Sequence, residues 1–113
     1  YDEELHALVH THPKDIRENI GTQKMMKNAP VGLVYVADLL RMNGPLFRSE
    51  EAKRFCAWVD TGFVSQNVYL YCAAAGLGTV VLALIKREIL RDVMGLKENE
   101  KIVLTQVVGH LQE

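Results

Sequence analysis

Three histidines near the start of the chain are the first residues whose types and spacing suggest chemistry. His6, His10 and His12 would share one face if this segment were a strand. Zinc normally needs three or four converging ligands with further hydrogen bonds behind them, and one short segment rarely supplies them alone. We therefore interpret these side chains as a solvated strand edge and expect no metal site.

The two cysteines, Cys56 and Cys72, are too far apart to pair if they lie on one helix. Their separation of 16 residues corresponds to about 24 Å along a helix axis, whereas a disulfide needs Cα atoms within about 7 Å. We predict free thiols that pack as small apolar groups. Free thiols fit a reducing compartment, so we expect a cytoplasmic protein.

Other familiar catalytic patterns are missing from the sequence. It contains no recognisable Ser–His–Asp or Cys–His arrangement, no paired carboxylates at a catalytic spacing and no phosphate-loop glycine pattern. The net charge of −1 gives no electrostatic reason to expect nucleic acid or an anionic membrane as a partner. Arg41 and Arg48 flank a turn, where they either assist a substrate carboxylate or lie in solvent.

The elements that must position any site alternate between helix and strand. The apolar run Val31–Asp38 predicts a strand buried on both faces. Ser49, as N-cap, and two glutamates in the first turn predict a helix over Glu50–Ala75. The order predicts a single α+β domain with three layers around a central sheet. The other predicted elements are an edge strand or hairpin arm (5–11), short helices (13–20 and 86–94, the latter closed by Gly95) and strands (79–85 and 102–108).

The second half of the long helix has an unusual composition. Residues 63–75 are apolar on nearly every face, interrupted only by Ser65, Gln66 and Asn67. A helix of this kind is buried all round or lies between subunits. The three polar residues point about 100° apart, so we expect at least one to be buried and hydrogen-bonded. Gly62 costs about 1 kcal/mol relative to Ala and suggests that another backbone approaches closely.

Five segments of the chain resemble the nitroreductase-like flavoproteins, and they occur in the same order as in that family. Residues 29–38 (APVGLVYVAD) resemble the central strand of that family, and residues 60–67 (DTGFVSQN) resemble the start of its central helix. Residues 74–79 (AAGLGT) are similar to its helix-to-strand turn, and residues 90–96 and 100–110 are similar to its last helix and strand. The front of the chain resembles a branch whose members act on or beside peptides. The resemblance covers essentially the whole chain.

This resemblance implies an enzyme that uses FMN. Such a protein would be a homodimer with the flavin at the subunit interface, reduced by NADH or NADPH and oxidised by a nitroaromatic or quinone-like acceptor. By resemblance, the backbone of Ala83, Leu84 and Ile85 lies against the ring and supplies an N–H, although plain core is the alternative. Lys86 and Arg87 are the nearest basic pair for the phosphate, or else form a solvated first turn.

The sequence departs from the family pattern near its beginning. The family has an early Arg-Arg-Ser-x-Arg type motif that grips the flavin phosphate and an early Asn that reads the ring, and neither occurs here. The chain begins at Tyr1 and looks like the C-terminal part of longer family members. We therefore expect either a single domain over residues 1–113 or a C-terminal fragment of a longer domain.

Two further interpretations remain open from the sequence. The missing arginine cluster favours a cofactor-free remnant that still dimerises and acts as an interaction or structural protein. A third interpretation is a module that binds flavin without turnover. The colour of the purified protein and its response to nicotinamide cofactors would separate the three.

Overall fold

The computed structural model describes residues 2–112, and its long elements agree with the sequence prediction. The strand over Val31–Asp38 and the helix over Glu50–Ala75 have the predicted bounds. The described elements are, in chain order, a 3-10 turn at Arg17–Asn19, α1 (Met25–Asn28), β1 (Val31–Asp38), α2 (Glu50–Ala75), β2 (Leu77–Leu82), α3 (Arg87–Met94) and β3 (Glu100–His110).

The three strands form one antiparallel sheet in the order β1-β3-β2. The prediction that β1 is buried on both faces is wrong, because β1 lies at an edge and exposes Val31 and Val36. The longer β3 takes the centre, since it pairs along both sides. The pairing of β1 with β3 is irregular at one point. Val36 pairs with Ile102 and Tyr35 pairs with Leu104, so Val103 is an extra residue with no partner in β1. Such a bulge bends a strand and disrupts its ladder locally.

One face of the sheet carries the main hydrophobic core. Thr105 of β3 is fully buried there, and its hydroxyl donates to the carbonyl of Ile20 at 2.6 Å. This bond ties the segment before α1 to the central strand. The two short helices and the 3-10 turn therefore form one layer, as the predicted three-layer arrangement requires. The core side chains on this face are Ile20, Met26, Leu82, Ile85, Leu90, Ile102 and Val107.

Helix α2 crosses the opposite face of the sheet. Ser49 caps its start as predicted, because the Ser49 hydroxyl accepts from the Ala52 N–H at 3.1 Å. Gly76 ends it in the left-handed conformation, at φ 69°. Only Ala57, Ser65 and Cys72 of this helix are buried. Their spacing of eight and seven residues places them on one stripe, the stripe that faces the sheet.

Of the two alternatives for the second half of the long helix, burial all round does not hold within residues 2–112. Phe55, Phe63 and Leu70 are 64%, 67% and 60% exposed, because the sheet covers only one side of the helix. A Cβ added at Gly62 would meet no atom within 4 Å, so no other backbone segment within residues 2–112 approaches it. We call the exposed stripe opposite the sheet the outer face; its members are Phe55, Val59, Gly62, Phe63, Gln66, Leu70 and Ala73.

Three shorter elements differ from their predicted form. The predicted strand at 5–11 is only a bridge between Asp2 and Ala7, and the predicted helix at 13–20 is a single 3-10 turn. The predicted strand at 79–85 ends at Leu82, where pairing with Thr105 stops. Residues 5–11 are all exposed and residues 83–85 lie beyond the last paired residue of the sheet, so local pattern alone could not set these bounds. None of the helices in residues 2–112 combines the length and hydropathy that a bilayer crossing requires.

Candidate functional site

The connection between β2 and α3 presents backbone donors beside an exposed apolar side chain. Leu84 is 73% exposed, whereas its neighbour Ile85 is buried in the core. No acceptor within residues 2–112 is hydrogen-bonded to the backbone N–H of either residue. Burial of Ile85 fixes the segment while Leu84 projects outward. The segment can therefore donate to a bound molecule without breaking a bond of its own.

Lys86 follows this segment at the start of α3. It occupies the N-cap position, and no side chain caps the helix there. Lys86 lines a pocket of about 310 Å³ together with Thr22, Lys27 and Ile89. Glu18 lies on the same pocket, so the two ammonium groups are partly offset by one carboxylate. The pocket offers charge-assisted donors and a hydroxyl to an anion.

Arg87 points to a different part of the molecule. Its guanidinium donates from Nε to the carbonyl of Ile102 at 3.2 Å and from Nη2 to the carbonyl of Val103 at 2.7 Å. Both carbonyls lie on the part of β3 that precedes Thr105, and β2 does not pair with that part. Arg87 thus replaces the missing strand at this edge. The two basic residues predicted as a pair line separate recesses, because Arg87 lies on a groove with Arg54, Trp58 and Lys101.

A buried polar network lies between α2 and the sheet, centred on Gln106. This side chain is fully buried, and its Oε1 accepts from the Tyr35 hydroxyl at 2.5 Å. Its Nε2 donates to Thr79 Oγ1 at 3.0 Å and to the Ser65 carbonyl at 3.4 Å. Thr79 in turn donates to the Val107 carbonyl at 2.7 Å. The network joins all three strands to the long helix.

The prediction about the polar residues of α2 is confirmed. Ser65 is buried and its hydroxyl donates to the Gly62 carbonyl at 3.0 Å, whereas Gln66 and Asn67 are exposed. Gln106 was missed, although it is a lone amide in the apolar run IVLTQVV, and that isolation was the available signal.

Two tyrosines lie between the helix and the sheet. The Tyr69 hydroxyl accepts from the Val81 N–H of β2 at 2.9 Å, which satisfies a donor on an edge strand. Burial raises the pKa of Tyr35 above its ordinary value, and the neighbouring Cys72 and Tyr69 raise it further. Tyr35 therefore stays neutral and continues to donate to Gln106 at alkaline pH.

The remaining candidates from the sequence do not join this site. Within residues 2–112 no group of three or more His, Cys, Asp or Glu side chains could hold a metal ion. Arg41 lines a pocket with Asp2, Glu3 and Glu4, and Arg48 is exposed. Cys56 and Cys72 are both free thiols, as predicted.

This arrangement, an antiparallel sheet with a long helix on one face and short helices on the other, is the nitroreductase fold. The sequence matches the model of the Nitroreductase family over residues 2–110. The chain belongs to the nitroreductase family. A comparison with curated proteins gave no match.

Two solved structures are similar to this chain. One is a protein from Ralstonia eutropha JMP134, provisionally named a nitroreductase, with a TM-score of 0.66 and 34% sequence identity; the match covers 73% of this chain and 38% of that one. The other is a nitroreductase family protein from Streptococcus pneumoniae TIGR4, with a TM-score of 0.60 and 16% identity, covering 87% and 68%. The chain thus spans well under half the length of the Ralstonia protein.

Proposed function

We propose that this chain forms part of an FMN-dependent oxidoreductase of the nitroreductase type. NADH or NADPH would supply the electrons, and a nitroaromatic or quinone-like compound would accept them. The observation that carries this proposal is the family match over residues 2–110, since family membership supports flavin-type redox chemistry in general. The free thiols Cys56 and Cys72 support a reducing, cytoplasmic location.

The segment of Ala83, Leu84 and Ile85 fits the edge and face of a flavin ring. A ring of this kind needs an apolar surface and a fixed N–H at its redox-active edge. Leu84 offers an exposed apolar side chain, and the N–H groups of Leu84 and Ile85 have no acceptor within residues 2–112. When bound, FMN would supply the hydride and electron transfer, while the segment orients it.

Lys86 is the side chain that we assign to the flavin phosphate. It lines the same pocket as Lys27 and Thr22, and an ammonium pair beside a hydroxyl suits a dianion. Arg87 contributes differently, because its guanidinium holds the start of α3 against β3. We infer that Arg87 positions the segment of residues 83–86 and leaves the phosphate to Lys86.

We further propose that the molecule is a homodimer through the outer face of α2. Phe55, Phe63 and Leu70 are exposed at helical spacing on this face, and a contiguous apolar patch of this kind usually marks an interface. The open space beside Gly62 leaves room for a helix of the second copy to approach closely. In a nitroreductase-like dimer the flavin would lie beside this interface.

Titration of the purified chain with FMN tests the cofactor assignment. We expect saturable binding, seen as a shift in the visible flavin absorption, followed by bleaching when NADH or NADPH is added. Lys86→Gln should weaken FMN binding by about tenfold, which corresponds to one charge-assisted hydrogen bond. Leu84→Pro, which removes one backbone donor, should change the flavin spectrum.

The matched control is Lys97→Gln, because Lys97 is an exposed lysine on the turn after α3. It should bind FMN as the unaltered chain does. A chain that ignores FMN would contradict the proposal and favour the cofactor-free interaction protein. A chain that binds FMN but is not reduced by either nicotinamide would instead indicate a flavin-binding module without turnover.

A further inference from the structure

A second recess, separate from the pocket of Lys86, lies between the first turns of α2 and the start of β3. Its volume is about 450 Å³, and we call it the basic groove. This size falls within the range of small-molecule sites. We propose that the basic groove binds a small planar aromatic anion, a carboxylate or a phosphate. The groove is lined by Arg54, Trp58, Arg87, Lys101, Ile102, Val103 and Leu104.

Charge is the first argument, because three cationic side chains line the groove and no carboxylate within residues 2–112 does. Glu50 pairs with Arg54 at 3.3 Å, but both side chains are largely exposed, and such a pair is weak and screened by solvent. Lys101 has no ion pair within the described residues. The side chains that line the groove therefore carry a net positive charge, which suits an anionic ligand.

Arg87 gives the groove a rigid cation. Its Nε and Nη2 donate to the carbonyls of Ile102 and Val103, so the plane of the guanidinium is fixed before any ligand arrives. Its Nη1 makes no hydrogen bond within the described residues. A planar cation that is held in advance loses little entropy when it binds a flat anion.

Trp58 supplies the aromatic surface. It is 62% exposed, which is unusual for the largest apolar side chain, and it lies one helical turn from Arg54. It lines the groove, at the border of the outer face. An indole beside guanidinium groups favours a flat ligand that also carries negative charge.

The test uses the fact that Trp58 is the only tryptophan of the chain. The full ¹⁵N-labelled chain therefore has a single indole N–H resonance, and NMR titration of that resonance reports directly on the groove. We expect 2-naphthoate or 2-naphthyl phosphate to move it saturably, and the neutral isostere 2-naphthamide to bind about tenfold more weakly or less. High salt should weaken binding of the anions, because part of the attraction is Coulombic.

Arg54→Gln and Lys101→Gln should each weaken binding of the naphthyl anions by about tenfold, with the remaining backbone resonances in place. Lys97→Gln is the control, since Lys97 is exposed and does not line the groove. The proposal is overturned if the indole resonance does not move saturably, if 2-naphthamide binds as tightly, or if salt has no effect. It also fails if Lys97→Gln weakens binding as much as Lys101→Gln. No flavin is present, so the outcome is independent of the cofactor assignment.

Discussion

Gln106 is the residue that most strongly defines the helix-facing side of the sheet. Its amide is fully buried and contacts Tyr35, Thr79 and the Ser65 carbonyl. A buried amide with all these partners fixes one register of helix against sheet, because any slip would leave polar groups without hydrogen bonds. A leucine of similar size would remove that constraint.

Gln106→Leu should destabilise the protein by about 2 kcal/mol, because the Tyr35 hydroxyl loses its acceptor in a partly buried position. Urea denaturation measures the loss as a lower transition midpoint. Gln23→Leu is the control, since Gln23 is exposed, and its effect should be close to zero. Equal effects of the two substitutions would show that the network contributes nothing specific.

Tyr35 should make stability fall at alkaline pH. An unfolded tyrosine ionises near pH 10.0, and burial raises the pKa of Tyr35 in the folded protein. As the pH rises above 10.0 the unfolded chain therefore loses this proton first. The stabilisation is complete below that pH and is lost as the pH rises through the raised pKa.

Denaturation curves across this alkaline range test the effect of Tyr35. Tyr35→Phe should be less stable at neutral pH, because the bond to Gln106 is gone, but its stability should depend less on pH. Tyr71→Phe removes an exposed hydroxyl and should retain the slope of the unaltered chain. An unchanged slope in Tyr35→Phe would refute the assignment.

At the scale of elements, helix and strand type could be predicted but strand position could not. The continuous apolar run of Val31–Asp38 predicted a strand correctly and its burial wrongly, because an edge position depends on which strands pair. Both β1 and β2 pair with β3, whose apolar run did not distinguish it from the run in β1. Strand pairing depends on contacts between residues that are distant in sequence, and local hydrophobic periodicity does not reveal those contacts.

The start of α2 is an element whose stability the sequence specifies locally. Ser49 accepts from the Ala52 N–H at 3.1 Å, so Ser49→Ala should lower the free energy of unfolding by about 1 kcal/mol. Ser49→Asp should restore it, since a carboxylate can accept the same bond and suits the positive end of the helix. Thermal unfolding of the two variants measures the difference. A loss in both would mean that the hydroxyl acts through some other contact.

For the whole molecule, the proposed dimer depends on the outer face of α2. Leu70→Asp should convert the proposed dimer to a monomer, because it places a charge in an apolar interface. Sedimentation velocity measures the change, and circular dichroism checks that the helix remains. Leu46→Asp is the control, since Leu46 is 77% exposed in the loop before α2, and it should leave the mass unchanged. A monomeric unaltered chain would refute the dimer.

The candidate site also depends on the whole molecule. The sequence predicted residues 83–87 as one binding segment, and Lys86 and Arg87 as a pair. In the folded chain they line separate recesses, since β2 stops at Leu82 and Arg87 fills the open edge of β3. Adjacent residues at a helix start project about 100° apart. The packing of the folded chain therefore determines which recess each of these two side chains lines.

The sequence by itself determined the family, the α+β class, the long helix over Glu50–Ala75 with its Ser49 cap, and the burial of at least one polar residue in that helix. These depend on local propensity, capping and residue order, which act over a few residues at a time. Only the tertiary structure decided that β3 is central, that α2 has an exposed apolar outer face, and that Arg54, Trp58 and Lys101 share a groove. Such features arise where distant segments meet, and the free energy that selects them comes from packing between layers rather than from any one stretch of chain.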